Sequence, residues 1–507
     1  MPAQAPDGEA REFAAAFRSF LDWIHRADTD GRVNEAARLV ADFLGPDGLE
    51  HSVVSRDLPV FEHVNLQTAL NAWSVEPGRT VDVRGLLLPP HYMLQLQQIV
   101  SAEGLPELRL IAPTLVDLPN GPDSTLGCLK LALLLVTDTR GRYILMVQSP
   151  GEHHPGLDVE IAGLPVAAAQ AVLTELDQLR SRLNVYRGHL LDVALNPMGG
   201  VILTFAVPSG LRRADVVLPE AVLSRAERHA LGVAAHREAL LAAGQHLKRG
   251  LLLYGPPGTG KTHTTRYLIG QMTGYTRLIL TGRALVGVGQ VTELARDLQP
   301  SVVVLEDVDL VAEDRSMGPR SSPVLFELLD AMDGAAPDAD LLFLLTTNRA
   351  DLLEPALAAR PGRVDVAVEI ELPDAAARER LLALYGRGVP LTLTEEDVAT
   401  AVERTDGATA SFIKELIRRS VLEALHDRQR LAGEAVPAGA APPPVTGAHL
   451  ARALDDLLDS TQGVTRTLLG VGVDPTTLPA GGALGAGPTG VIMRRGAVAH
   501  RTFFYGR

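Results

Sequence analysis

Eight residues, Gly255-Pro256-Pro257-Gly258-Thr259-Gly260-Lys261-Thr262, fit the spacing G-x-x-x-x-G-K-[ST]. Glycine at these places lets a backbone wrap closely around phosphate oxygens and point its N–H groups inward. A helix starting at Lys261 would add the positive end of its dipole. Lys261 is placed to reach the β- and γ-phosphates of a nucleotide, and the Thr262 hydroxyl to ligate Mg2+. His263, the next residue, completes the candidate nucleotide-binding set. Downstream, Val302-Val303-Val304-Leu305 runs into Glu306-Asp307. An apolar strand tipped by two carboxylates suits Mg2+-assisted phosphate chemistry, one carboxylate orienting the metal shell and the other polarising the attacking water. By position, Glu306 takes the metal role and Asp307 the base role, and the exchange of these two roles stays open at this point. Aspartate is one methylene shorter than glutamate, so a base at Asp307 predicts slow turnover.

The surrounding text must hold these groups in place. From Val216 short apolar strands alternate with helical stretches: Leu251–Tyr254, Lys261–Met272, Leu278–Leu280, Gln290–Leu298, Val302–Leu305, Val324–Met332 and Leu341–Thr346. Such alternation predicts a parallel sheet with crossover helices. Four helices are expected after Asp374, at Ala375–Tyr385, Glu395–Glu403, Ala410–His426 and Ala448–Asp459, with a flexible Ala/Pro/Gly-rich insertion near 431–445. The first half reads as mixed α and β. Glu9–Phe43 and Val166–Leu183 look helical, and Leu108–Val116, Leu129–Val136, Tyr143–Val147 and Val201–Val207 look extended. The expected organisation is an N-terminal α/β region (1–214), a nucleotide-binding domain (215–373), a helical lid (374–459) and a weakly basic, Gly-rich, disordered tail (460–507).

Composition narrows the function classes. With 507 residues, 46% hydrophobic and 21% charged, the chain can bury several cores. A net charge of −14 argues against a broad nucleic-acid surface, which needs clustered Lys and Arg. The single cysteine, Cys128, excludes an internal disulfide framework and a cysteine zinc cage. No apolar run approaches the ~18 residues needed to cross a bilayer, and the N-terminus has no basic and apolar leader pattern. We therefore expect no membrane insertion and a cytoplasmic location. His153-His154 has no third ligand at a useful spacing and reads as a polar loop.

Further motifs carry a resemblance. Leu341–Thr347 ends at Asn348, and Leu353-Glu354-Pro355-Ala356-Leu357 precedes Arg360-Pro361-Gly362-Arg363-Val364-Asp365. With the phosphate loop, this set resembles the AAA family of ATPases, in the clade of valosin-containing protein, the proteasomal ATPases and the membrane-bound zinc proteases. The resemblance runs from about Val216 to Asp459. It implies a P-loop module with a helical lid, ATP and Mg2+ as ligands, and ATP hydrolysis. It implies that Asn348 helps place the lytic water, and that Arg360 and Arg363 are arginine fingers reaching a neighbouring subunit's γ-phosphate. It further implies a homo-hexamer or other homo-oligomeric ring, and a protein client for the N-terminal region to select. Gly407-Ala408 matches the start of the lid helix that closes over the adenine. Leu285-Val286-Gly287 matches the substrate-gripping pore loop, with Leu where translocating members carry an aromatic. Ala331-Met332-Asp333-Gly334 matches an inter-subunit signalling segment, with Ala335 in place of Phe. No H-E-x-x-H occurs, so the fused zinc protease is absent. The implied function is a ring ATPase that remodels or unfolds proteins. The alternative is a slow nucleotide-dependent scaffold for assembling a larger particle. A nucleic-acid motor is disfavoured.

Overall fold

The computed structural model describes residues 34–89, 94–101, 108–151, 156–197, 199–312, 330, 332, 339–351, 364–432 and 443–459. In the N-terminal unit, helices α1 (Glu35–Leu49), α2 (His63–Ser74), α3 (Leu96–Ser101) and α4 (Val166–Arg182) accompany eight strands. These are β1 (Val54–Leu58), β2 (Thr80–Leu87), β3 (Arg109–Ile111), β4 (Leu115–Gly121), β5 (Ser124–Leu129), β6 (Leu131–Asp138), β7 (Gly141–Gln148) and β8 (Leu157–Ala162). Six of them form an antiparallel sheet in the order β1-β8-β7-β6-β2-β3, and β4-β5 is a separate hairpin. The stretch expected as one strand over Leu108–Val116 is thus divided between the sheet and the hairpin. It breaks next to Pro113, which has no N–H to give a ladder.

Strand β6 shows why this sheet takes helices on both faces. Its run is apolar at every position from Leu131 to Val136, and side chains of a strand alternate in direction. Leu133 and Leu135 enter one core with α1 and α3 residues such as Val40 and Ile99. Ala132, Leu134 and Val136 enter the other with Trp73 of α2 and Leu173 of α4.

The second sheet has seven strands, β10-β9-β12-β13-β14-β11-β15. They are β9 (Leu190–Leu195), β10 (Val201–Phe205), β11 (Arg249–Tyr254), β12 (Thr276–Thr281), β13 (Ser301–Glu306), β14 (Leu341–Thr347) and β15 (Val366–Glu369). All neighbours are parallel except β10 and β9. The expected parallel sheet is present. It also extends into the region assigned by sequence to the N-terminal unit, because β9 pairs with β12 and brings β10 with it. Helix α5 (Glu220–Glu227) precedes the sheet's main run, α6 (Lys261–Gln271) follows β11, and α7 (Val288–Asp297) follows β12. Strand β13 is buried throughout. Val302 and Val304 meet the α6 side, and Val303 and Leu305 meet the α7 side.

The second sheet is tied together away from the phosphate loop by Asp340. Its carboxylate, 1% exposed, accepts from Arg249 at 3.0 Å and Tyr275 at 2.7 Å, and pairs with Arg237 at 3.2 Å. The two units share a core rather than a tether. Val64, Cys128 and Tyr186 pack in one cluster with Leu278, Leu285 and Val303.

The lid contains α8 (Ala375–Tyr385), α9 (Glu395–Arg404), α10 (Ala410–Ala432) and α11 (Gly447–Leu458), with the two-residue parallel pair β16 (Leu391–Thr392) and β17 (Val445–Thr446). Its core centres on Phe412, Ile413, Leu416 and Leu454. Helix α9 begins with a reciprocal cap: Asp397 N–H donates to the Thr394 hydroxyl at 3.1 Å, and Thr394 N–H to the Asp397 carboxylate at 2.9 Å. The expected Glu9–Phe43 helix is described only from Glu35, and the expected disordered tail, the His153-His154 loop and most of Val324–Met332 lie outside the described residues.

Candidate functional site

The phosphate loop joins β11 to α6. Gly255 turns at φ +140°, and a Cβ there would lie 2.3 Å from the Ile370 carbonyl oxygen, so only glycine fits. Gly258 turns at φ +78° with the lid pressed against it: a Cβ would stand 3.1 Å from both Ser411 Oγ and Thr409 Oγ1. Ser411 donates to the Gly258 carbonyl from its backbone N–H at 3.1 Å and from its hydroxyl at 3.3 Å. The start of lid helix α10 therefore rests on the loop. Sequence reasoning stopped at Gly407-Ala408 and missed Thr409 and Ser411. Two hydroxyl residues before an apolar helical run were the available signal.

Lys261 is buried, and its ammonium donates to the Gly255 and Pro256 carbonyls at 2.8 Å each. Burial pulls its pKa down to about 8, against the opposing pull of Asp307 and Asp309. Thr259 caps the turn by donating to the Pro256 carbonyl at 2.9 Å. His263 lies 2.9 Å from the Asp215 carbonyl oxygen through Nε2, so it braces the loop helix against the segment leading into α5.

Glu306 ends β13 and is 7% exposed. Burial raises its proton affinity, while the Arg266 charge and a hydrogen bond with Thr262 lower it. The structure thus places the Thr262 hydroxyl beside the Glu306 carboxylate. Among the described residues no cluster of three metal-binding His, Cys, Asp or Glu side chains occurs. Mg2+ commonly takes one or two protein oxygens and completes its shell with phosphates and water, and a hydroxyl beside a carboxylate supplies oxygens of that kind. Thr262 and Glu306 are the residues that would hold it. When bound it would neutralise charge on the phosphate oxygens.

Asp307 follows the strand with φ +52°, and its N–H donates to the Thr346 hydroxyl at 3.0 Å. Burial and the nearby Asp309 raise its proton affinity, whereas Lys261 and a hydrogen bond from Asn348 lower it. Asn348, just past β14, therefore meets the candidate base. Asp309 was missed by sequence reasoning. It is 6% exposed and accepts from Thr347 Oγ1 at 3.0 Å and Asn348 N at 3.1 Å. The signal was a third carboxylate two places beyond the Glu306-Asp307 pair.

In the candidate pore loop Leu285-Val286-Gly287 the structure buries the first side chain and exposes the second. Gly282–Gly287 forms a 3-10 helix in which Leu285 is 2% exposed and Gly287 is buried, while Val286 is 53% exposed. The segment lies against β9 and β10, with Gly287 directly below Leu195 and Val201. Strand β9, which the sequence reading did not foresee, and β10, foreseen over Val201–Val207, make Leu285 a core residue. Arg360 and Arg363 lie outside the described residues, as do Ala331, Asp333, Gly334 and Ala335. A cavity of about 530 Å3 lies between α5, β15 and α8, bordered by Thr259 of the loop and Ala410 of the lid.

A parallel sheet with a glycine loop, a buried lysine, a Thr–Glu contact, a carboxylate–amide pair and a helical lid defines a P-loop nucleotide-binding module. Residues 251–372 match the ATPase family associated with various cellular activities (AAA). The ATP-dependent zinc metalloprotease FtsH of Thermus thermophilus is 33% identical over 201 residues, which cover 37% of this chain and 32% of that protein. FtsH 4 of Sphaerobacter thermophilus is 34% identical over 206 residues, covering 38% and 30%. A crystal structure of the FIGL-1 AAA domain is 23% identical with a TM-score of 0.42, covering 52% of this chain and 92% of that one. This chain therefore carries an AAA ATPase domain. It spans about a third of the length of the curated relatives it matches.

Proposed function

We propose that this chain is a ring-forming AAA ATPase that couples ATP hydrolysis to remodelling of protein substrates. The observation that supports it most is the convergence, at the loop-proximal ends of β11, β13 and β14, of Lys261, the Thr262–Glu306 contact, and Asp307 with Asn348. In this reading Lys261 binds the terminal phosphates and Thr262 with Glu306 holds Mg2+. Asp307 is the general base, and Asn348 orients the water. Arg360 and Arg363 act as fingers on the neighbouring subunit's nucleotide, in a homo-hexamer or a related ring. The N-terminal unit selects the client.

Burial of Leu285 favours a second reading, a slow nucleotide-dependent assembly ATPase that does not thread polypeptide, because the side chain placed to grip a client is inside the fold. The test is ATP hydrolysis per subunit against protein concentration, with and without an unfolded protein, for the native chain and Arg360→Ala. The remodelling reading expects a steep rise with concentration, further stimulation by unfolded protein, and loss of both in the variant. Slow turnover indifferent to unfolded protein would support the assembly reading, and no turnover at any concentration would remove both.

A further inference from the structure

Asp309 opens the short helix Asp309–Ala312, directly after the candidate base. It is nearly buried, and three donors converge on it. The Thr347 hydroxyl and the Asn348 backbone N–H donate to Oδ1 at 3.0 and 3.1 Å, and the Asn348 side-chain amide donates to Oδ2 at 3.5 Å. The Asn348 side chain also lies beside Asp307 and lowers that group's proton affinity. A carboxamide has two N–H donors on one nitrogen and an acceptor oxygen on the other branch. With acceptor-only carboxylates as neighbours, the amide is best satisfied with Nδ2 toward Asp307 and Asp309 and its oxygen turned away from both.

We propose that Asp309 is a positioning residue for hydrolysis, locking the Asn348 amide so that its N–H groups face the Asp307 carboxylate. The inference rests on the reading of Asp307 and Asn348 as the water-handling pair. Without the Asp309 carboxylate the Asn348 amide keeps Asp307 as its only charged acceptor and loses the second anchor that fixes its rotamer. The amide then swings about its own side-chain bonds, and the water loses a fixed guide. Thr347 supports the same lock from below. Its hydroxyl holds Oδ1, so the carboxylate is itself fixed before Asn348 meets it.

The experiment is steady-state ATP hydrolysis by the full chain for the native protein, Asp309→Asn, Asn348→Ala and the double variant. Binding of a fluorescent ATP analogue and the melting temperature are recorded alongside. Native turnover is the first arm: its absence removes the base reading itself, independently of Asp309. With native turnover present, Asp309→Asn is expected to lower kcat about 10- to 100-fold, with KM and analogue affinity within about twofold of native. In the Asn348→Ala background the same change is expected to cost less than about twofold, because Asp309 then has no amide to position. Additive losses in the double variant, or a native kcat in Asp309→Asn, would overturn the proposal. If Asp309→Asn fails to fold, Asp309→Glu carries the test. It keeps the acceptor but displaces it by one methylene, so a partial loss of kcat with unchanged KM supports positioning, and full native kcat overturns it.

Discussion

The pH dependence of nucleotide binding follows from the burial of Lys261. Its ammonium sits among the Gly255 and Pro256 carbonyls with little solvent, and its pKa lies at about 8. Bound phosphates would return it to at least its ordinary range near 10.4. The ammonium is the form that attracts phosphate, so raising pH through 8 removes the binding-competent species and affinity falls. With a free-state pKa of about 8 and a bound-state value above 10, the apparent Kd scales as one plus the ratio of neutral to charged lysine. From pH 7.5 to pH 9 that factor grows about eightfold, or roughly 1.3 kcal/mol. The assay is fluorescence anisotropy with a labelled ATP analogue at fixed ionic strength, in EDTA so that metal binding does not enter. The γ-phosphate is already fully ionised in this window. Lys261→Arg is the control: a guanidinium keeps its charge, so whatever its affinity its Kd should be flat over the same range. A flat profile for the native chain, or an equally steep one for Lys261→Arg, would refute the reasoning.

Two further outcomes concern the fold that holds the site. Leu285→Ala should destabilise the chain by ~2–5 kcal/mol through lost burial and a cavity, visible as a lower melting temperature, while Val286→Ala should stay within about 0.5 kcal/mol; equal effects at the two positions would contradict the burial of Leu285. Arg249→Met removes the buried guanidinium bonded to Asp340 and should cost ~3–5 kcal/mol in urea unfolding, whereas a loss below ~1 kcal/mol would show that Tyr275 and Arg237 suffice for that carboxylate.

What could be read without coordinates was what local chemistry dictates. The phosphate loop, Glu306 and Asp307 were legible because glycine spacing, a lysine and strand-end carboxylates have few other uses together, whereas Asn348 was singled out only by the family resemblance. The lid helices were legible from their apolar period, and the Ala375–Tyr385 boundaries agree with the structure. The N-terminal sheet was only partly legible. Strand β1 has a mixed sequence, Val-Ser-Arg-Asp-Leu, and β2 carries Asp82 and Arg84 on its outer face, so neither presents an apolar run. Asp309 escaped notice because a lone acidic residue after a turn usually faces solvent. Its role depends on Thr347 and Asn348, which a different strand brings to it. The burial of Leu285 was not legible for the same reason: residues that cover it, such as Val201, are far from it in sequence.

The burial of Leu285 bears on how the two units communicate. A flexible link between a recognition unit and a motor lets each move alone. Here the first unit, through Val64, Cys128 and Tyr186, packs in the same cluster as Leu285 and Val288 of the segment after β12. Strands β9 and β10 belong to the nucleotide domain's sheet while leading directly out of α4 through Val185 and Tyr186, which bond to Asn65 and Phe61 of the N-terminal unit at 2.9 and 2.8 Å. A close-packed interior does not yield at one side chain alone. Displacing Gly282–Gly287 therefore either carries β9 and β10 with it or exposes Leu285, and exposing that side chain would cost ~1.5–3 kcal/mol. The lid meets the nucleotide domain through the Ser411 hydrogen bonds to the Gly258 carbonyl, the Arg387–Asp215 ion pair and the packing of Val217 on the lid core. The Ser411 and Arg387 bonds are surface bonds that a rotation of the lid can break and remake at less cost than exposing Leu285, so a nucleotide-driven movement is expected at Gly258 and Ser411 rather than at Leu285.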